Sequence, residues 1–303
     1  MKILVTGGAG FIGSHIVKQL LEAGNEVVVY DDFSASSPES VDPRASIIRG
    51  RVQDLKLLTE SLLGVDNVIH MASFIAVEES VKDPLKYFEN NVMGTAVLLE
   101  AMRGAGVKKI VFSSSATVYG EPKSLPIMED APLSAANPYA ASKIAMEAMC
   151  ESFNRTDGFD VTILRYFNPY GPGENHDPET HAIPNFIKAG IKKEAVPLYW
   201  KGQQVRDFIY VGDLAAAHIT VLNLTGYNVF NVGTEAGTKI TDVINILSDI
   251  FGYTLKIEDL GERKGDVMAN YASSGKLKEA TGWVAKVGLK EGLDKTVGWF
   301  KAQ

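Results

Sequence analysis

Along the chain, short apolar runs alternate with longer stretches in which apolar positions recur every three or four residues. Lys2 to Thr6 is a run of the kind that makes a strand buried on both faces, and FIGSHIVKQLLEAG after it has helical spacing that ends at Gly24. Glu26 to Tyr30 reads as a second strand. A polar loop with Pro38 and Pro43 leads to a third strand, Ala45 to Arg49, and then to the helical pattern DLKLLTESLL. Asp66 to His70 and Lys109 to Ser113 are further strand candidates, and the run closed by Arg165 is another. Pro84 to Gly104 and Pro138 to Thr156 have the spacing of long helices. Tyr227 to Val232 reads as a strand, and Thr241 to Phe251 as an amphipathic helix. Strand and helix alternating in this way predict an α/β fold.

The first strand runs into glycines. Gly8, Gly10 and Gly13 satisfy G-x-G-x-x-G, while Gly7, Gly10 and Gly13 satisfy G-x-x-G-x-x-G. Residues without a Cβ are needed where the backbone turns tightly and lets a pyrophosphate approach. The start of the following helix offers that anion unpaired N–H groups and a positive dipole end. The second strand ends in Asp31 and Asp32, close to the roughly 20-residue spacing at which a carboxylate accepts from the adenosine ribose. A carboxylate there repels a 2′-phosphate, and no arginine follows until Arg44. The pattern therefore predicts NAD rather than NADP.

Size and charge narrow the partners. The 303 residues suffice for one large α/β domain with a smaller appendage, and 46% hydrophobic residues supply a core. A formal charge of −7 without a basic block argues against a nucleic-acid or membrane-surface partner. The single cysteine, Cys150, excludes an internal disulfide and fits a reducing compartment. No apolar stretch approaches the roughly 18 residues of a spanning helix, so a soluble, cytoplasmic protein is expected.

Several residues carry candidate chemistry. Asp54 has two readings, a bond to the adenine amino group or a plain helix N-cap. His70 reads as a structural histidine, and the small residues Ala72 and Ser73 leave room for a cofactor to pass close to the backbone. Asn90, Asn91 and Gly94 lower helix propensity inside Pro84 to Gly104 and need a reason. One reason is Asn91 bonding across to the loop of the catalytic serine or to the nicotinamide end. Ser113, Ser114, Ser115 and Thr117 place hydroxyls at a strand end, where such folds keep their ligands. Tyr139 and Lys143 are spaced to share one helix face. A tyrosine hydroxyl in water ordinarily titrates at about pH 10, so it acts as a base at neutral pH only if neighbouring positive charge stabilises the phenolate. Lys143 and an oxidised nicotinamide supply that charge.

The set TGGAGFIG, Asp31, Asp54, HMAS, NNVMGT, SSSATVYG, YAASK, RYFNPYGPG, RDFIYVGDLA and RKGDV resembles the extended short-chain dehydrogenase/reductases that act on nucleotide sugars. The likeness runs from residue 3 to about 300, and within that group it is nearest to the UDP-glucose (UDP-galactose) 4-epimerases. It implies a Rossmann-type doubly wound parallel sheet with a smaller α/β C-terminal substrate domain. The NAD-binding part would be residues 1–165 with 207–233 returning to it, and the nucleotide-sugar part 166–206 and 234–303. By position, Tyr139 would take the proton from the sugar 4-hydroxyl as the C4 hydride goes to NAD, Ser115 would bond the same oxygen, and Lys143 would hold the nicotinamide ribose. The cofactor would meet Gly7, Gly10, Phe11, Ile12, Gly13, Asp31, Asp32, Asp54, Leu55, Met71, Ala72, Ser73, Asn91, Tyr139, Lys143 and Tyr166. The UDP-sugar would meet Ser115, Tyr139, Asn168, His181, Arg206, Arg263 and Asp266. The likeness also implies tightly held NAD and a homodimer paired through Pro84 to Gly104 and Pro138 to Thr156.

Other positions refine the expectation. Dehydratase relatives carry Asp-Glu where Ala116 and Thr117 stand, and neither residue here transfers protons, which favours chemistry needing one hydride and one proton. Ile75 stands where some bacterial epimerases keep a lysine near the cofactor phosphates. At the position of a size gate against the sugar 2-substituent is Asn270, whose moderate size leads to the expectation that N-acetylhexosamines enter too. His176 and His181 lack the companions a metal needs, so no metal is expected. Asp213 reads as the cap of the helix after it.

Overall fold

The computed structural model describes residues 1–174, 181–262 and 267–303. Two compact units share the chain: residues 1–120, 129–166 and 215–231 form the first, and 121–128, 167–214 and 232–303 the second.

The first unit is built on a seven-stranded sheet. Its strands are β1 (Lys2–Thr6), β2 (Glu26–Asp31), β3 (Ser46–Arg49), β4 (Asn67–His70), β5 (Lys109–Ser115) and β6 (Asp160–Tyr166). The seventh, Tyr227–Val232, lies beside β6. Reading across from that edge the order is Tyr227–Val232, β6, β5, β4, β1, β2, β3, and the pairs from β3 to β6 are parallel. The order reverses at β1, so the strand ends of β1 and β4 open the crevice where a doubly wound sheet binds its ligand. Ile3, Leu4, Val5, Val68, Ile69 and Phe112 are fully buried, as strands covered on both faces require. The unit's helices are α1 (Phe11–Glu22), α2 (Leu55–Ser61), α3 (Val77–Lys82), α4 (Pro84–Tyr87), α5 (Gly94–Ala105) and α6 (Pro138–Asp157); α1 and α6 lie on the sheet, α2 packs on α5, and α3 and α4 pack on α6. The apolar core runs from Leu4 and Leu58 through Leu98, Leu99 and Met102 to Met146, Cys150 and Ile163. Cys150 is packing, and burial pushes its thiol up to about 12.

The long helix expected over Pro84 to Gly104 is interrupted: between α4 and α5 lies a π-helical stretch, Phe88–Met93. The strand after α5 extends to Ser115 rather than stopping at Ser113, which puts all three serines in regular structure.

In the second unit, β7 (Asn168–Tyr170) pairs with a strand at Phe208–Tyr210, and Val205–Arg206 pairs with Thr238–Lys239 and Ala269–Asn270. Its core joins Phe186, Ile187, Leu247, Leu293 and Val297 from the helices Ala182–Lys192, Ile240–Phe251 and Leu289–Lys301. The unit boundaries differ from those expected from sequence. Residues 121–128 sit in the second unit because Ile127 exchanges backbone bonds with Tyr271 and Ser273, at 2.9 and 2.8 Å. Residues 207–214 sit there because Asp207 and the strand after it bond Asn168 and Asn270. Asp213 does not cap the helix Val211–Thr220; it lies inside the first turn and accepts from Lys286 and Val287 N–H. Among the described residues no helix is long and apolar enough to cross a membrane.

Candidate active site

The turn after β1 is held in shape by contacts that tolerate no side chain. Gly7 has φ +68°, and a Cβ there would lie 2.7 Å from Ala72 N; at Gly13 it would lie 2.3 Å from Gly7 O. At Gly10 the nearest atom, Gly7 O, is 3.4 Å away, so the turn is open at that point. Gly10 is also the N-cap of α1 and supplies no side-chain acceptor, and no acidic residue stands in the first turn. The positive dipole end of α1 is thus met by no capping carboxylate of its own. Asp31, buried at the end of β2, accepts from Ala9 N at 3.0 Å, Phe33 N at 2.9 Å and Ser36 Oγ at 3.1 Å, which ties it to the glycine turn. Asp32 accepts from Ser34 N and Oγ. An open cleft of about 470 Å³ is lined by Asp32, Ser34, Arg49, Gly50, Arg51 and Phe74. This cradle, with carboxylates beside it, fits a dinucleotide.

Of the other positions expected to meet the cofactor, Asp54 caps α2 by accepting from Leu57 N at 3.0 Å, and Leu55 is exposed at the start of that helix. Phe11 packs edge-on to His15, and Ile12 follows it in the first turn of α1. Met71 and Ala72 donate their N–H groups to Thr6 Oγ1 at 3.2 and 3.3 Å. Ser73 Oγ bonds Phe74 O at 3.2 Å. Tyr166 is not free to stack at large, since its hydroxyl meets His218 Nε2 at 2.5 Å and Met71 Sδ at 3.5 Å.

At the C-terminal end of β5, Ser115 accepts from Thr117 N at 3.3 Å and Thr117 Oγ1 at 2.9 Å. Helix α6 starts at Pro138, its N-cap Asn137 accepting from Ala140 N at 2.9 Å. Tyr139 therefore falls in the first turn and Lys143 one turn on. Both are buried. Burial pushes the Tyr139 hydroxyl up to about 12, and a hydrogen bond from Ser115 works against it. Burial pushes the Lys143 ammonium down to about 7, and Glu147 works against that. Lys143 Nζ donates to Ser113 O at 2.8 Å and lies 5.9 Å from the centre of the Tyr139 ring. Ser115, Tyr139 and Lys143 are thereby brought together.

Asn91 does not reach the serine strand. From the π-helical stretch its amide accepts from Phe74 N at 2.9 Å and donates to Phe74 O and to Ser142 Oγ, both at 3.1 Å. Ser142 Oγ donates to Tyr139 O at 2.7 Å, so Asn91 braces the loop after β4 against α6. His70, fully buried, joins the same network. Thr95 Oγ1 donates to Asn91 O at 2.7 Å and must accept from His70 Nε2 at 2.9 Å, so the ring proton sits on Nε2 and Nδ1 accepts from Thr6 Oγ1 at 2.7 Å. Burial first, and Lys143 second, push His70 down to about 3, and it is neutral.

The second unit holds the remaining expected positions. Asn168 donates from Nδ2 to Asp207 O at 3.1 Å, and His181 Nδ1 meets Glu174 Oε1 at 2.7 Å. Arg206 Nη1 donates to Val205 O at 2.9 Å, and Asn270 is its register partner. Arg263, Asp266 and His176 lie outside the described residues.

Sequence reasoning missed Glu147 and the part played by Arg165. Glu147 is buried one turn beyond Lys143 and accepts from Ser114 Oγ at 2.5 Å and from Arg165 Nε and Nη2 at 3.0 and 2.7 Å. The signal was present in the helical spacing of Tyr139, Lys143 and Glu147.

Comparison with known proteins places these residues in a wider context. Residues 3–233 match the NAD dependent epimerase/dehydratase family. The UDP-glucose 4-epimerase of Lactobacillus helveticus is 40% identical, with 100% of this chain and 98% of that protein covered. A UDP-glucose 4-epimerase of Thermotoga maritima, solved with UDP-glucose, superposes with a TM-score of 0.95 at 36% identity over 100% and 99% of the two chains. One from Bifidobacterium longum, solved with NAD+ and UDP, gives 0.94 at 34% identity over 100% and 99%.

Proposed function

The chain belongs to the NAD dependent epimerase/dehydratase family, and from that membership we propose that it interconverts UDP-galactose and UDP-glucose by inverting C4 of the sugar through a transient 4-keto intermediate. The observation that carries the reading is the cluster of half-buried Ser115 with buried Tyr139 and Lys143 at the end of β5, on the same sheet edge as the glycine cradle. NAD, when bound, supplies the hydride acceptor and donor.

The protein's own residues do the rest. Gly7, Gly10 and Gly13 give the pyrophosphate access to the start of α1, and Asp31 and Asp32 stand by the adenosine ribose. Tyr139 accepts the proton of the sugar 4-hydroxyl and later returns it. Ser115 bonds the same oxygen, and its bond to Tyr139 favours the phenolate. Lys143 adds a positive charge beside the ring and is held there by the Ser113 carbonyl. Ala116 and Thr117 carry no group suited to eliminating water from the sugar, which supports epimerisation over dehydration. Asn168, His181, Arg206, Arg263 and Asp266 are proposed to hold the nucleotide sugar, two arginines offsetting two phosphate charges. Asn270, of moderate size, is proposed to admit N-acetylhexosamines as well.

The assembly is proposed to be a homodimer working in the cytoplasm. Val81, Leu85 and Met93 are 62, 69 and 57% exposed along α3, α4 and the π-helical stretch, an apolar face of the kind pairing would cover.

The test is direct. Purified protein is incubated with UDP-galactose and no added cofactor, while UDP-glucose, any 4-keto-6-deoxy product and bound-nucleotide absorbance are followed. Appearance of UDP-glucose alone is expected. A 4-keto-6-deoxy product, or bound NAD with no turnover, would overturn the reading.

A further inference from the structure

The buried pair Glu147 and Arg165 has no part in the chemistry above, yet it is costly to bury. Taking a carboxylate and a guanidinium out of water carries a desolvation penalty, and apolar residues of similar volume often replace such pairs with no loss of stability. What an ion pair supplies that apolar packing does not is direction. Ser114 and Arg165 are register partners on β5 and β6, so their side chains leave the same face of the sheet. Glu147 covers that face from α6. It accepts from Ser114 Oγ at 2.5 Å and from both Nε and Nη2 of Arg165 at 3.0 and 2.7 Å, a two-pronged grip. The third arm of Arg165, Nη1, donates to Tyr119 OH at 2.9 Å and to Glu129 O at 3.0 Å. Tyr119 OH in turn donates to Asn231 Oδ1 at 2.6 Å.

The consequence lies in the neighbours. Ser114 is flanked by Ser113, whose carbonyl accepts from Lys143 Nζ at 2.8 Å, and by Ser115. Two consecutive residues at the end of β5 are thus tied to two residues one turn apart on α6, and Tyr139 sits one turn before them on that helix. The ladder with β6 already sets the register of that strand end, and a single tie would leave α6 free to pivot against it. Two ties from one helix face fix both its translation and its rotation.

We propose that Glu147 and Arg165 are positioning residues that lock α6 to the end of β5 and so hold Ser115 in place against Tyr139 and Lys143. The proposal rests on those three residues being the reacting set.

The experiment compares wild type with Glu147→Gln, Arg165→Lys and the double variant Glu147→Leu/Arg165→Met. The single variants leave a buried partner imperfectly met and lose stability. The double variant removes both charges while keeping the volume, so its melting temperature stays within a few degrees of wild type. Two readouts are taken on NAD-loaded protein: steady-state conversion of UDP-galactose, and amide hydrogen exchange of the peptide covering residues 113–117. The double variant is expected to lose at least about tenfold in kcat with KM within about twofold, because misalignment acts on the reacting geometry rather than on nucleotide binding. Exchange over 113–117 is expected to quicken by about tenfold, and Arg165→Lys, which keeps the charge but not the fork, to fall between. Unchanged exchange in the double variant would overturn the proposal whatever the kinetics. Faster exchange with undiminished kcat would overturn it too, leaving an anchor without catalytic effect. Wild-type protein inert toward UDP-galactose, with exchange still quickened in the variant, would remove the reading of the reacting set while upholding the anchor.

Discussion

Replacing Lys143 by methionine should make the protein more stable and nearly inactive, and both effects can be worked from the geometry. Lys143 Nζ lies 5.9 Å from the centre of the Tyr139 ring. At an effective dielectric of about 20, a charge at that separation stabilises the phenolate by about 3 kcal/mol. Losing it lowers kcat by roughly a hundredfold. Against this stands the cost of burying an ammonium. The Lys143 pKa falls from 10.5 in a free side chain to about 7, so between those values the unfolded state binds more protons than the folded one. Stability therefore rises with pH across the window; the penalty is present in full below it, about 5 kcal/mol, and is still about 4 kcal/mol at pH 7. Methionine fills the space but leaves the Ser113 carbonyl without its 2.8 Å donor, which costs about 1–3 kcal/mol. The net expectation is a gain of about 1–3 kcal/mol at pH 7, a rise of a few degrees in the melting temperature. The assays are UDP-galactose turnover at saturating NAD and thermal melts of both proteins freed of nucleotide. A kcat within threefold of wild type would refute the electrostatic role. A melting temperature several degrees below wild type would refute the burial cost.

Other outcomes follow from the same site. Tyr139→Phe should lower turnover by more than about a thousandfold while bound-nucleotide absorbance stays at the wild-type level; substantial residual rate would remove the assigned base. Gly13→Ala puts a Cβ 2.3 Å from Gly7 O, so the purified protein should lose its NAD and melt several degrees lower; retention of cofactor at wild-type level would disprove the cradle. His70 is held at about 3 against 6.5 in a free side chain, so the unfolded state takes up a proton first as pH falls. Stability present above pH 6.5 should therefore be lost between about 6.5 and 3, and His70→Gln should flatten the dependence of melting temperature on pH in that window. Parallel curves for the two proteins would exclude it.

Local signals made the first unit readable. The glycine spacing, the carboxylates at the end of β2 and the Tyr139–Lys143 pair each lie within one or two consecutive elements, so sequence separation maps directly onto geometry. The boundaries at which the two compact units differ from the expected division lie elsewhere. Residues 121–128 look like the rest of a proline-rich loop, and only the bonds of Ile127 to a strand region some 145 residues later assign them to the second unit. Asp213 differs for a related reason: next to a helix start it reads as a cap, but the helix begins at Val211 and Asp213 Oδ2 accepts from Lys286 and Val287 N–H, more than 70 residues on.

Asn91 marks the limit more sharply. Composition alone says that Asn90, Asn91 and Gly94 weaken a helix, and the structure relieves the conflict by widening the backbone over Phe88–Met93 into π-helical turns. That widening is what turns the Asn91 amide inward, where Phe74 and Ser142 satisfy its donors and its acceptor. An asparagine with no such partners would be an expensive buried amide. Here the helix accepts a weaker backbone so that one side chain can join the cofactor loop to the carbonyl of Tyr139 through Ser142. The sequence carries the weakness, and only the fold carries the reason for it, because the partners come from two elements whose distance along the chain says nothing of their meeting. A local departure from helix propensity beside a reacting residue is thus better read as a demand for a tertiary partner than as a mark of flexibility.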